Sequence, residues 1–367
     1  MNISFVLAVY NRLDLTKECY RRLRNVYSDA PLVISSGGSS DGTKEWLESL
    51  DDINLSYIHD DDRLAFSETY NVGIKLVDTE KLVLIHNDMV IGEGFLESIE
   101  RLLKPNMLLS YTTIEPPIFK GHQRPGKVLL ELGRTFAEFD QFNFDNFVNK
   151  FKDNNNLYEG AVFFMSGYKK MFEEVGMFDG YSFNPCFCED DDFLIRAKLK
   201  GYDLKTCDSA ITYHFVSQTS RFSDEFKNDR FKIELSSNRN FVRKWGIPIS
   251  AFNELRYWED KNFTYKTFSM GLTTRNRNRL YQVEPFFDKL DIGETPEDYI
   301  ENEQKNTRYD LRSKFSLTDM VDVMVYETSP MTESDLYTLE KLRLSIPYYE
   351  PGEYQLDNMK IDIRKKI

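Results

Sequence analysis

The sequence is poor in several things that would have fixed its class at once. Among 367 residues there are four cysteines, Cys19, Cys186, Cys188 and Cys207, without regular spacing. That excludes a disulfide-stapled scaffold and suits a reducing, cytoplasmic compartment. Cys186 and Cys188 with Cys207 and His214 make a poor zinc set, because a structural pair is spaced C-x₂₋₄-C and this one is C-x-C. No apolar run approaches the ~18 residues needed to span a bilayer. Residues 1–9 lack a basic flank and a small-residue cleavage site, so they are expected to form a strand and not a secretion signal. No G-x-G-x-x-G follows the first apolar run, which removes the usual anchor of a nicotinamide-binding fold. Gly37-x₄-Gly42-Thr43-Lys44 has Thr before Lys, the reverse of a P-loop.

What is present begins with size and charge. The length allows roughly two domains of ~150 residues, and 41% hydrophobic with 14% aromatic residues excludes a disordered chain. The formal net charge of -13 argues against indiscriminate polyanion binding. It is unevenly spread. Residues 221–283 carry 13 basic and 7 acidic residues, including Arg239, Arg243, Lys244, Arg275, Arg277 and Arg279. A solvated face is the plain reading of such a block; a strip for a diphosphate or a nucleic-acid backbone is the alternative.

The first hundred residues alternate strand and helix. Residues 3–9 are a continuous apolar run, as in a strand buried on both faces. Asp14 is placed to cap a helix carrying Leu15, Cys19, Leu23 and Val26. Strands are expected at 32–34, 55–58 and 82–85, with helices around Trp46, over 67–77 and over 95–103. Such alternation predicts an α/β, doubly wound, mostly parallel sheet. Ligands on such sheets bind beyond the carboxyl ends of the strands. Tyr10-Asn11-Arg12, the Ser35 to Ser40 segment and His86-Asn87-Asp88 should therefore converge on one crevice.

Two carboxylate sites carry chemistry. Asp88 follows Leu82-Val83-Leu84-Ile85, so a buried strand delivers it to the sheet edge, where a hard divalent cation or a turn would use it. Glu189-Asp190-Asp191-Asp192 opens a helix expected to end near Gly201. Four acids exceed what the helix dipole needs, and one would serve as a base. His214, within Ile211-Thr212-Tyr213-His214-Phe215, reads by itself as a core histidine, and gains interest only beside Asp88.

These pieces, in this order, resemble a family 2 glycosyltransferase with the GT-A fold. The resemblance runs through Phe5 to Arg12, Gly38-Ser39-Ser40-Asp41-Gly42-Thr43, Asn71-Val72-Gly73 and Leu84-Ile85-His86-Asn87-Asp88. It continues through Glu159-Gly160-Ala161, Glu174 to Asp179, Glu189-Asp190-x-Asp192 with Arg196, Lys200-Gly201-Tyr202, Tyr213-His214 and Lys244-Trp245-Gly246. Two departures stand out: Ser36 and Gly37 where an acidic residue usually meets the base, and His86 where Asp or Asn opens the metal motif.

The resemblance implies a Rossmann-like GT-A sheet with a mostly helical C-terminal extension. Residues 1–110 would bind the nucleotide sugar, 111–246 would hold acceptor and catalytic groups, and 247–367 would be an extension of unassigned role. It implies Mn²⁺ or Mg²⁺ held by Asp88 and His214. Ala8, Tyr10, Asn11, Arg12, Ser36, Asn71 and Asn87 would bind a nucleoside-diphosphate sugar, a UDP-sugar first. Asp190 would be the general base, with Glu189 or Asp191 orienting a hydroxyl-bearing acceptor, and transfer would invert configuration. Two rivals remain at this stage: transfer to a hydroxylated DNA base gripped by residues 221–283, and a non-catalytic sugar-nucleotide-binding module. Glu115-Pro116-Pro117 and residues 122–126 read as loop, and 136–151 as an amphipathic helix.

Overall fold

The computed structural model describes residues 2–118, 124–216, 228–250, 267–315 and 320–367. They form two compact units: residues 1–180 with 184–231, and residues 181–183 with 232–367.

The first unit is the α/β layer that the alternation predicts. Strand β1 (Ile3–Val9), buried at all seven positions, runs parallel to β2 (Leu32–Gly37) on one side and β4 (Lys81–Ile85) on the other. β2 pairs in parallel with the edge strand β3 (Leu55–Asp60). Helices α1 (Leu13–Val26), α2 (Thr43–Glu48) and α3 (Phe66–Leu76) connect these strands, and α4 (Phe95–Leu102) leads onward to the second half of the sheet. α3 lies close on the sheet: a Cβ at Gly73 would sit 2.8 Å from Ser35 Oγ and 2.9 Å from Val6 Cγ1. The second half of the sheet is mixed. β9 (Met165–Tyr168) is antiparallel to both β4 and β6 (Met107–Glu115). β6 is parallel to β10 (Asp203–His214), and β5 (Met89–Ile91) closes antiparallel on the end of β10. Short strands β7 (Lys127–Leu129) and β8 (Leu157–Glu159) flank β6 and β10.

Two local expectations are corrected. Asp14 is not the N-cap of α1: Arg12 occupies that position in a left-handed conformation. The first helical amide, on Leu13, donates instead to Asp41 Oδ2 at 2.7 Å, so the cap comes from the next loop of the sheet. Glu115 is not in a loop but ends β6, all nine residues of which are buried. Its polar members hid it, since Ser110 and Thr112 donate to the carbonyls of Val162 and Cys207 and are thereby compatible with a core strand. Likewise, the helix expected over 136–151 begins only at Gln141 (α5, Gln141–Phe151), capped by Asp140.

The second unit carries helices Glu297–Glu303 and Glu333–Ser345 within the extension expected to be helical, and most of Arg230–Trp245, a helix not foreseen. It also holds a five-stranded sheet that no periodicity announced. The strand order is β12 (Lys289–Asp291), β11 (Met270–Thr273), β13 (Val323–Glu327), β15 (Met359–Ile363), β14 (Gly352–Leu356). Its basic residues are largely matched by acids of the same unit: Arg239 by Glu303, Arg243 by Glu284 and Glu303, Arg275 by Asp291, Arg277 by Glu294 and Arg279 by Glu333. Positions 221–227 and 251–266 of the basic block lie outside the described residues.

Arg243 is the centre of this unit's buried charge. Only 1% exposed, its guanidinium donates to Glu284 Oε2 at 2.6 Å, Glu303 Oε1 at 2.7 Å and Asn240 Oδ1 at 2.8 Å. Arg243→Met is expected to lower the unfolding free energy of this unit by ~3–5 kcal/mol, because two buried carboxylates lose their shared cation. Urea unfolding checks this. Burial raises the pKa of Glu284, but Lys314 and Arg243 outweigh it and hold the carboxyl at about 2, against an ordinary 4.5. A depressed pKa stabilises fully above the ordinary value, so this contribution is expected to fade as pH falls from about 4.5 through 2.

No helix among the described residues is long and apolar enough to cross a membrane.

Candidate active site

The crevice at the carboxyl ends of β1 and β4 is where the topology places a ligand. Its two sides are tied together across the sheet: the amide of Asn11 donates to Ser39 Oγ at 2.8 Å, and Ser40 N–H donates to Asn11 Oδ1 at 2.9 Å. Gly38 is required here. Its φ is +80°, and a Cβ would meet Arg63 Cα at 2.6 Å, so the loop carrying Arg63 could not pack. Arg63 in turn covers the Tyr10 ring, 4.6 Å from its centroid.

The pocket in this crevice is lined by Ala8, Val9, Tyr10, Arg63, Leu64, Phe66, Thr69, His86, Asn87, Asp88, Pro185, Cys186, Phe187, Glu189 and His214. Strand register brings the metal-type residues together. β5 pairs with β10 so that Met89 lies opposite His214, which sets Asp88, one residue earlier, beside the imidazole. Asp88 Oδ1 is 3.3 Å from His214 Nε2 and 3.9 Å from His86 Nδ1. One ligand atom from each of His86, Asp88 and His214 lies within 4.8 Å of the others.

Both imidazoles sit in an aromatic cage. Phe164 lies 5.3 Å from the His86 ring and 5.0 Å from that of His214, and Phe66 and Phe163 pack on His86 at 5.6 and 4.9 Å. Burial, aided by the neighbouring His214 and Arg124 and opposed by Asp88, lowers the pKa of His86 to about 4. It is therefore neutral, with a lone pair to give. Burial also disfavours charge on His214, but carboxylates on both sides, Asp88 and Glu115, hold it up at about 9. Nε2 of His86 is buried without a hydrogen bond, and so is Nε2 of His214, whose approach to Asp88 misses hydrogen-bond geometry. One nitrogen from each imidazole and a carboxylate oxygen, all within 4.8 Å of one another, are a donor set that fits a divalent cation.

The acidic helix α7 (Glu189–Leu199) approaches the same pocket through an unusual backbone. Phe187 and Cys188 have φ of +77° and +71°, a left-handed conformation that costs a non-glycine residue of order 1 kcal/mol or more. The turn aims Glu189 inward. Its carboxyl is 5% exposed with Oε2 unpartnered, and burial first, then the negative charge of Asp190, holds its pKa well above the carboxylate range. Asp192 is spent on structure: fully buried, it accepts from Arg196 Nε at 2.9 Å, while Arg196 also donates to the carbonyls of Val175 and Met177. Asp190 and Asp191 are half-buried beside it and do not line the pocket.

Of the other expected residues, Ala8, Tyr10 and Asn87 line the pocket and Asn11, Arg12, Ser36 and Asn71 do not. Asn71 bridges to the backbone of Phe178, accepting its N–H at 2.9 Å and donating to its carbonyl at 2.8 Å. Ser36 bonds Ser39 and His59 at 2.9 and 3.1 Å. Arg12 faces a second cavity with Asp14, Glu18, Arg134 and Phe136. His86, expected in the crevice but not as a ligand, joins the cluster, and Arg63 and, behind His214, Glu115 are present without having been expected there. His86 was visible in the sequence, as the unusual first position of the metal motif.

Comparison with known proteins places this geometry. The family model described as Glycosyl transferase family 2 matches residues 4–176, from β1 through α6 (Lys169–Val175). Residues 4–176 are a family 2 glycosyl transferase domain. The match covers the β1 loop and His86-Asn87-Asp88; α7 and His214 lie beyond it. No curated protein matches the chain in sequence. Solved structures similar to the chain include GalNAc-T7 with UDP, GalNAc and Mn²⁺, at 10% identity over 58% of this chain, TM-score 0.42. The chain spans 42% of that protein's length. The mannosyltransferase PcManGT from Pyrobaculum calidifontis, in complex with GDP-Man and Mn²⁺, is 14% identical over 70% of this chain and 68% of its own, TM-score 0.45. S. aureus TarS is 12% identical over 100% of this chain and 59% of its own, TM-score 0.46. The central sheet, the crevice and the His/Asp/His cluster belong to one compact unit, of which the glycosyl transferase match covers residues 4–176.

Proposed function

We propose that the chain is an inverting glycosyltransferase that moves a sugar from a nucleoside-diphosphate sugar to an acceptor hydroxyl of a glycan or small molecule. The observation that carries this is the shared pocket. A cation-type cluster of His86, Asp88 and His214 and a buried carboxyl, Glu189, at the start of the acidic helix open into one crevice, the first half of which lies within the glycosyl transferase match.

His86, Asp88 and His214 would hold a divalent ion, which when bound would supply Lewis-acid stabilisation of the departing nucleoside diphosphate. Two imidazoles with one carboxylate suit Mn²⁺ better than Mg²⁺, which prefers oxygen ligands alone. The chain's own residues do the rest. Tyr10, Asn87 and Arg63 line the donor side, the guanidinium adding positive charge for the diphosphate. The acceptor oxygen attacks the anomeric carbon as the bond to the diphosphate oxygen breaks, and that oxygen leaves with the electron pair. Asp190 takes the acceptor proton. Glu189, kept protonated by burial and by Asp190, donates a hydrogen bond into the pocket. A single displacement of this kind inverts configuration. The four cysteines, none of them in a disulfide, suit a reducing, cytoplasmic setting.

A thermal-shift screen of UDP-, GDP- and dTDP-sugars with Mn²⁺ or Mg²⁺ tests this. A UDP-sugar with Mn²⁺ is expected to give the largest shift, several degrees at ~100 times Kd, where binding adds ~2.7 kcal/mol. No shift with any nucleotide sugar under either metal would contradict the proposal.

A further inference from the structure

We propose that Glu115 is a positioning residue for the cation site, fixing the His214 ring so that Nε2, and not Nδ1, faces Asp88. The inference rests on reading His86, Asp88 and His214 as that site.

The arrangement follows from strand register. β6 and β10 run parallel with Ile114 opposite Tyr213, so the next residues, Glu115 and His214, emerge side by side at the strand ends. Glu115 is 5% exposed, and its Oε1 lies 3.2 Å from His214 Nδ1. On the other side of the ring Nε2 lies 3.3 Å from Asp88 Oδ1. A cation bound at Nε2 would displace the proton there and leave the imidazole with one N–H. The Glu115 carboxylate can only accept, so it would hold that N–H at Nδ1 and keep the Nε2 lone pair on the Asp88 side. Turning the ring over would forfeit this bond against the packed face of Phe164.

Glu115 is itself anchored. Arg124 Nη2 donates to it and to Thr113 Oγ1, and Lys127 Nζ lies 3.7 Å from Oε2. These two cations let a carboxylate stay ionised in a buried place. A carboxylate behind a ligating histidine both orients the ring and raises its basicity, and its loss typically costs 10–100-fold in metal affinity.

The test is Mn²⁺ titration of the full chain without nucleotide, followed by the EPR signal of free Mn²⁺. Wild type, Glu115→Gln, Glu115→Asp and Asp88→Asn are compared, with Tm recorded for each. Glu115→Gln keeps the shape and removes the charge, and is expected to weaken Mn²⁺ binding about 10-fold or more. Glu115→Asp keeps the charge but draws the carboxylate back from His214 Nδ1, and is expected to weaken binding several-fold, where a purely electrostatic role would leave it unchanged. Should Glu115→Gln not fold, the Glu115→Asp result decides: binding like wild type there overturns the proposal. If Asp88→Asn loses Mn²⁺ while Glu115→Gln binds like wild type, Glu115 has no positioning role and the cation site stands. If wild type binds no better than Asp88→Asn, the cation reading itself fails, and the proposal with it.

Discussion

Asp190→Asn is expected to lower turnover about 10³-fold while leaving nucleotide-sugar binding within a few-fold of wild type. The magnitude is the middle of the range for removing a general base. The split between turnover and binding is the informative part. Asp190 does not line the donor pocket, and asparagine keeps its size, so donor affinity has no reason to fall. Glu189→Gln should behave differently. The glutamine amide remains a donor, so activity at neutral pH is expected to stay within ~10-fold of wild type. The wild-type rate is expected to decline above neutral pH, as Glu189 loses the proton that burial and Asp190 help it keep. That decline should flatten in Glu189→Gln, which has no proton to lose. Equal loss of donor binding and turnover in Asp190→Asn would assign Asp190 a structural role instead.

Asp88→Asn should abolish metal-supported catalysis. Asp88 is the only carboxylate of the cluster, and its Oδ1 is the atom that both imidazoles approach. Removing its charge leaves His86 and His214 without the anion that makes the site attractive to a cation. Mn²⁺ affinity is expected to fall more than ~100-fold, beyond the loss of an outer-shell partner. Turnover should fall ~10³-fold, since cation stabilisation of a leaving diphosphate is worth several kcal/mol. Isothermal titration with Mn²⁺ and initial rates at saturating donor check both numbers. Because Asp88 is 4% exposed, an unfolding curve must accompany them. A folded variant with wild-type turnover at low Mn²⁺ would remove Asp88 as a ligand.

The parts of this molecule that the sequence made legible are those where one residue's neighbours in the chain decide its place. The apolar run of β1 and the alternation through α4 gave the sheet, because a strand buried on both faces admits little but aliphatic residues. Asp88 was visible because an aspartate after such a strand must emerge at its end. What escaped depends on register between distant strands. Glu115 is 99 residues from His214, and only the parallel pairing of β6 with β10 makes them neighbours. The strand that carries Glu115 is rich in serine and threonine, whose hydroxyls bond buried carbonyls, so its pattern did not read as a core strand. The arginines of 221–283 misled in the opposite sense. Arg239, Arg243, Arg275, Arg277 and Arg279 stand out as a basic block, yet their acids come from residues 284–333. Charge counted along the chain could not see that pairing. The same holds for the four acids of α7, where a local run implied a common role. Packing instead separates Glu189, aimed into the pocket, from Asp192, bound to Arg196.

One measurement bears on all of these residues at once: proton NMR of a UDP-sugar incubated with the full chain, Mn²⁺ and a hydroxyl-bearing acceptor. The anomeric signals are followed in wild type, Asp88→Asn and Asp190→Asn. The expected result is Mn²⁺-dependent transfer in which the new linkage has the anomeric configuration opposite to the donor's, and its loss in both variants. A product that retains the donor's configuration, or transfer at wild-type rate in either variant, would contradict it.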